Sequence, residues 1–161
     1  MISNYLVLAE RIRQEIEEIK QLIARCEAAV AAASRRPEEI DFYFDSAALN
    51  LHDVYVAMER IFEQIASRVD KSIPSGNDWH RELLRQMSVD LADIRTAVLS
   101  DNSVSELDEF LRFRHVVRNV YTHSFRNEEI IKLVRAVRPT FERVQRELLE
   151  FIVFLERIGK S

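Results

Sequence analysis

Apolar residues recur at threes and fours along most of the chain, the repeat that stacks side chains on one face of an α-helix. Over residues 3 to about 34 the repeat is Leu8, Ile12, Ile16, Ile19, Ile23, Cys26 and Val30. Ser3 or Asn4 can cap its start. The alanine-rich end (Ala28, Ala29, Ala31, Ala32, Ala33) reads as a surface helix end, or as a place for close helix approach. Ser34-Arg35-Arg36-Pro37 breaks the pattern, and Glu38 and Glu39 suit the positive end of a following helix dipole. A second helix over 38 to near 71 sets Phe42, Leu49, Val56, Phe62 and Ile65 toward a core, with Tyr55, Met58 and Glu59 near its middle. Residues 72–78, SIPSGND, are the strongest linker signal. Asp78 can then cap a third helix from 79 to about 99, facing inward through Leu84, Met87, Leu91, Ile94 and Val98.

After a polar turn at 100–102, Ser103-Val104-Ser105-Glu106 has the form of a capping box. The helix it opens points Val104, Leu107, Leu111, Val117 and Tyr121 one way, with Phe110, Phe113 and Val120 widening the stripe. Asn127 can cap a last helix, which runs to 158 through Ile131, Leu133, Val134, Val137, Phe141, Val144, Leu148, Phe151, Ile152 and Leu155. Pro139 removes one backbone donor and should kink or break it near Arg138, and Gly159 should end it. The sum is an all-α fold: one domain over 1–161, an antiparallel bundle of four to five helices.

Composition narrows this picture. Two glycines and three prolines in 161 residues are too few for the turns of an all-β fold, and 47% hydrophobic residues suffice for one core. The single Cys26 excludes an intrachain disulfide framework and fits a reducing compartment. No apolar run has the length of a membrane span, and the start, MISNYLVLAERIRQ, has no basic segment before Glu10. A cytoplasmic protein with no membrane association is expected. The net charge of -4 argues against nonspecific coating of DNA.

Against that acidic balance, FLRFRHVVRNVYTHSFR (110–126) holds four arginines, two histidines and no acid. Cations gathered on one helix of an acidic protein hold an anion, phosphate above all, or pair with acids on neighbouring helices. His115, Asn119 and His123 fall in one row at four-residue spacing, and Arg114 and Arg118 form the adjacent row. Two guanidiniums and three hydrogen-bonding groups in one quadrant suit phosphodiester cleavage. His115 also fits a core histidine. Trp79 and His80 offer a stacking platform for a base, although a lone tryptophan is more often a core anchor. Asp45, His52, Asp53 and Glu59 invite a metal reading. However, positions 45, 52 and 59 lie two turns apart, about 10 Å, too far for one ion, so no metal site is expected.

The segment Arg118-Asn119-x-x-x-His123 resembles the signature of HEPN domains, helical bundles of prokaryotic defence and toxin–antitoxin ribonucleases. LHDVYVAMERIFEQIA (51–66) and LDEFLRFRHVVRNVY (107–121) are similar to segments of HepT-like proteins, and the resemblance extends from about residue 42 onward. It implies a metal- and cofactor-independent endoribonuclease toxin, acting as a homodimer whose two motif helices form one cleft. Arg118 would bind the scissile phosphate, Asn119 would orient the phosphate or imidazole, and His123 would exchange a proton. Arg114, His115 and Tyr121 would contact substrate. The implied partners are RNA and a minimal nucleotidyltransferase antitoxin that binds the toxin or adenylylates a motif tyrosine. That tyrosine normally lies two residues after the histidine, where this chain has Phe125; Tyr121 is the nearby phenol. The departure keeps open an inactive binding module that docks the antitoxin or a nucleotide, and the residues alone keep open a structural bundle.

A homodimer also follows from the fourth helix, whose apolar arc is wider than one bundle core needs. Light scattering at micromolar concentration should return twice the chain mass; a monomer there would count against a shared cleft.

Overall fold

The computed structural model describes residues 3–119 and 127–161, with Arg118 and Asn119 as backbone only. It has five α-helices: α1 (Asn4–Arg35), α2 (Ile40–Ile65), α3 (Trp79–Gln86), α4 (Asp101–Asn119) and α5 (Asn127–Lys160). A short 3-10 turn (Pro37–Glu39) leads into α2, and a π-helical turn (Ala66–Asp70) extends it. The bundle is all-helical apart from one isolated backbone bridge in the loop after α3. Among the described residues no helix is long and apolar enough to cross a membrane.

Ser3 caps α1, its Oγ accepting from the Tyr5 N–H at 3.2 Å. Leu8, Ile12, Ile16, Ile19, Ile23 and Cys26 are buried as the repeat predicts, and Val30 packs at the margin. Ala29 and Ala33 are buried and allow close packing, whereas Ala28 and Ala31 are exposed, so the alanine row combines both expected readings. Burial pushes the Cys26 thiol up to about 12, which makes it an inert core group.

Helix α2 touches every other helix and carries the widest buried arc. Its core face runs through Phe44, Ala47, Ala48, Leu51, Val54, Tyr55, Met58, Ile61, Phe62 and Ile65. Phe42 and Leu49, expected inside, are 72% and 59% exposed, and Val56 is only half-buried. The inward face at this end is built on alanines, so the larger residues misstate its direction. Phe42 and Phe44 are two positions apart, about 200° around the helix.

Helix α3 ends at Gln86, not near 99, because Arg95 draws the following chain into a loop. Its guanidinium is buried against Asp70, with Nε to Oδ1 at 2.6 Å and Nη2 to Oδ2 at 2.7 Å. Its remaining donors reach the carbonyls of Val89 (2.9 Å), Thr96 (3.2 Å) and Gln86 (3.1 Å). Gln86 donates to the same Asp70 oxygen at 2.8 Å. Asp93 takes a left-handed turn with φ of 66° as the chain doubles back, and Leu91 and Arg95 pair their backbones. Val98 and Leu99 then return to the core and donate to the Met87 carbonyl, whereas Ile94 stays exposed and Leu91 half-buried. Each carbonyl now held by Arg95 belongs to backbone that helical geometry would have used internally.

Helix α4 begins two residues before the expected capping box. Ser100 Oγ accepts from the Ser103 N–H at 3.2 Å, and Glu147 of α5 accepts from the Ser100 N–H (3.3 Å) and Ser103 Oγ (2.6 Å). The carboxylate of a capping box is thus supplied across the bundle, and Glu106 instead holds Thr140 (3.0 Å) and Arg143 (2.9 Å) of α5. Phe110 and Phe113 are buried within the chain itself. Helix α5 runs through Pro139 without a break, and it includes Gly159, expected to end it. A Cβ at Gly159 would lie 3.0 Å from the Leu6 side chain, so this glycine serves packing against α1.

Removing Asp70 strands a fully buried guanidinium. Asp70→Ala should cost about 3–5 kcal/mol in urea denaturation; a loss below about 1 kcal/mol would mean that the loop is held by its apolar contacts.

Candidate functional site

Glu59 lies inside the apolar stripe of α2, four residues after Tyr55 and three before Phe62, and is 3% exposed. A carboxylate so placed needs partners, and the neighbouring helices bring them. His80, in the first turn of α3, puts Nδ1 2.7 Å from Glu59 Oε2, so the Nδ1–H donates. Arg114 of α4 puts Nη2 3.6 Å from the other oxygen, Oε1. One carboxylate therefore ties three helices.

Two rings close the cluster. The Trp79 ring lies 3.6 Å from that of His80, and His115 meets His80 edge-on at 5.6 Å and 79°. Trp79 is half-buried against the core and occupied with His80, which answers to the anchor reading rather than to a free stacking platform. Around the cluster, Asp108 pairs with Arg81 (3.4 Å) and Arg112 (3.0 Å), joining α3 to α4.

The electrostatics follow from this crowding. Burial lowers the His115 pKa, and the positive charge of His80, Arg114 and Arg81 lowers it further, against a smaller upward pull from Glu59. Burial raises Glu63, with the Glu59 charge adding to it. Burial also raises the Tyr55 phenol. The Tyr55 hydroxyl and Arg114 Nε and Nη1 are buried without a hydrogen-bond partner among the described residues.

The structure thus turns Arg114 toward Glu59 and sets a half-buried His115 against His80. Arg114 is 11% exposed and faces Glu59. Arg118 and Asn119 are the last described residues of α4, one turn beyond Arg114 and His115, and their side chains lie outside the described residues. Tyr121, His123 and Phe125 also lie outside them. Sequence reasoning weighed Glu59 only as a metal ligand and His80 only as a stacking group. The signal for their pairing was present: an acid on the core side of an apolar stripe demands a buried cation or donor. Among the described residues, no three His, Cys, Asp or Glu side chains are grouped to hold a metal ion.

On the opposite side of α4, Phe110, Phe113 and Val116 line a cavity of about 500 Å³ with Leu133, Ala136 and Pro139 of α5. Val116 is 46% exposed there.

A family model described as HepT-like protein matches residues 46–155, which include α3, α4 and the whole Arg118-to-His123 segment. Neither a curated protein nor a solved structure gives a match to the chain.

A histidine whose folded pKa is depressed binds its proton more weakly than in the unfolded chain. His115 therefore contributes stability above about pH 6.5 that is lost as pH falls through that value toward its folded pKa. Imidazole NMR should place its midpoint below 6.5, and His80→Gln should move it upward. A midpoint at or above 6.5 would mean that the ring is solvated.

Proposed function

The chain belongs to the HepT-like family of HEPN domains, and from that premise we propose that it is an endoribonuclease toxin that cuts RNA without a metal ion. The observation that carries this reading is the family match itself, because it spans both the motif segment and the helices around it. The site would be Arg118, Asn119 and His123. Arg118 lies on the helix that the Glu59 cluster holds, and a guanidinium there would bind the scissile phosphate and offset the charge that builds on it. Asn119 would orient the phosphate or the imidazole.

The reaction needs a ribose 2′-OH, so its substrate is RNA rather than DNA. The 2′-oxygen attacks the adjacent phosphorus and the P–O5′ bond breaks. One imidazole takes the 2′ proton while a second gives one to the departing 5′-oxygen. An unperturbed imidazole pKa near ~6.5 serves both directions. His123 supplies one such group per chain, and a homodimer with paired motif helices would supply two. Val116 and the cavity between α4 and α5, lined by apolar residues and by charged ones such as Glu109 and Lys132, offer a seam for that pairing.

A minimal nucleotidyltransferase antitoxin is the proposed partner. With Phe125 at the usual tyrosine position, neutralisation by binding fits this chain better than tyrosine adenylylation, for which Tyr121 is the nearby phenol. The same phenylalanine favours the second reading, an inactive module that docks the antitoxin. Arg114 and His115 face Glu59 and His80, and in this reading they support the site through α4.

Purified protein in EDTA should cut a mixed RNA pool, and His123→Ala and Arg118→Ala should each lower the rate at least about 100-fold while staying folded. Failure of the unaltered protein to cut any RNA would support the docking module instead.

A further inference from the structure

Apolar anchoring of α4 fades before the motif. Leu107, Phe110, Leu111 and Phe113 are buried, but Val116 is exposed and Val117 only half-buried. A polar attachment lies one turn before Arg118: the Glu59 carboxylate is held between His80 at 2.7 Å and Arg114 at 3.6 Å, with Val117 packed at the margin of the core. Arg114 and Arg118 are four residues apart, so they share a helix face and stand about 6 Å apart along the axis. Whatever fixes the rotation of α4 at Arg114 also fixes the backbone one turn on, at Arg118.

We propose that Glu59 is a positioning residue for RNA cleavage, acting through Arg114 to set the register of the motif helix. The proposal rests on the ribonuclease reading above. Two features favour this role over a purely structural one. A single carboxylate joins α2, α3 and α4 at the turn that precedes the motif, whereas the ties at Ser103, Glu106 and Asp108 lie further toward the start of α4. Among the described residues, Arg114 Nε and Nη1 are also buried without a hydrogen-bond partner. The groups facing this turn are Glu59 and Glu63 from α2, His80 and Arg81 from α3, and Arg114 and His115 on α4. Glu59 faces Arg114 and His80 at once, and its charge opposes the others that depress His115.

Glu59→Gln keeps an acceptor for His80 and removes the charge that holds Arg114. Cleavage should show kcat lowered about 10- to 100-fold, the scale of an ångström-sized misplacement, with KM within about twofold. Arg114→Gln should do the same, and the double variant should be no slower than the slower single, since both act through one contact. Independently of activity, Glu59→Gln should move the His115 midpoint further down. Should Glu59→Gln fail to fold, Glu59→Asp retains the charge but shortens the reach, and the same kcat loss is expected from it. A folded Glu59→Gln protein with unchanged kcat, or a double variant with fully additive losses, would overturn the proposal while cleavage by the unaltered protein stands. If the unaltered protein cuts no RNA, the ribonuclease reading fails and this role falls with it. The unaltered control alone tells the two failures apart.

Discussion

A carboxylate taken out of water must be neutralised where it lies, or the helix that carries it cannot stay buried. Glu59 imposes that condition on the central helix of this bundle. His80 and Arg114 meet it from two different helices, so one charge dictates how α3 and α4 sit on α2. Asp70, one turn beyond the end of α2, imposes the same condition on the next stretch of chain. Arg95 meets it by abandoning helical geometry. Both acids lie on or next to the one helix in contact with all the others. The apolar repeat builds the bundle, and these two acids decide the details that the repeat leaves open.

Those details mark where the sequence was legible. Helices α1 and α5, whose leucines, isoleucines and valines repeat without competition, were readable almost to their ends. Pro139 suggested a break that packing overrode, since the helix retains apolar contacts on both sides of the proline. The start of α2 was misread because alanines form its inner face while phenylalanine and leucine stand outside. The end of α3 was misread because its apolar spacing continues past Gln86, whereas the Arg95–Asp70 pair that ends it is 25 residues long in sequence. Periodicity is a local signal and cannot register such a pair.

For the candidate site the sequence identified the helix and the family, and the structure adds its support. For Arg114 and His115 both an outward, phosphate-facing reading and an inward, paired one stayed open, because helical rows say which residues share a face but not where that face points. Their neighbours supply the direction: the face meets Glu59 and His80 at Arg114 and His115. The HepT-like family match spans this basic helix of a chain of net charge -4. The acids that match its cations are distributed through α2 and α4 itself, in Glu59 and Asp108.

The central claim is that this chain cuts RNA by attack of the neighbouring 2′-oxygen. The chemistry of the cut ends tests it most directly. Internal attack leaves a 2′,3′-cyclic phosphate on one fragment and a 5′-hydroxyl on the other, and a single 2′-deoxy substitution at the cut position blocks it. Mass spectrometry of the products of a short defined RNA should find those ends. Fragments bearing a 5′-phosphate and a 3′-hydroxyl, or continued cutting at the deoxy position, would contradict the account, because either requires water as the nucleophile.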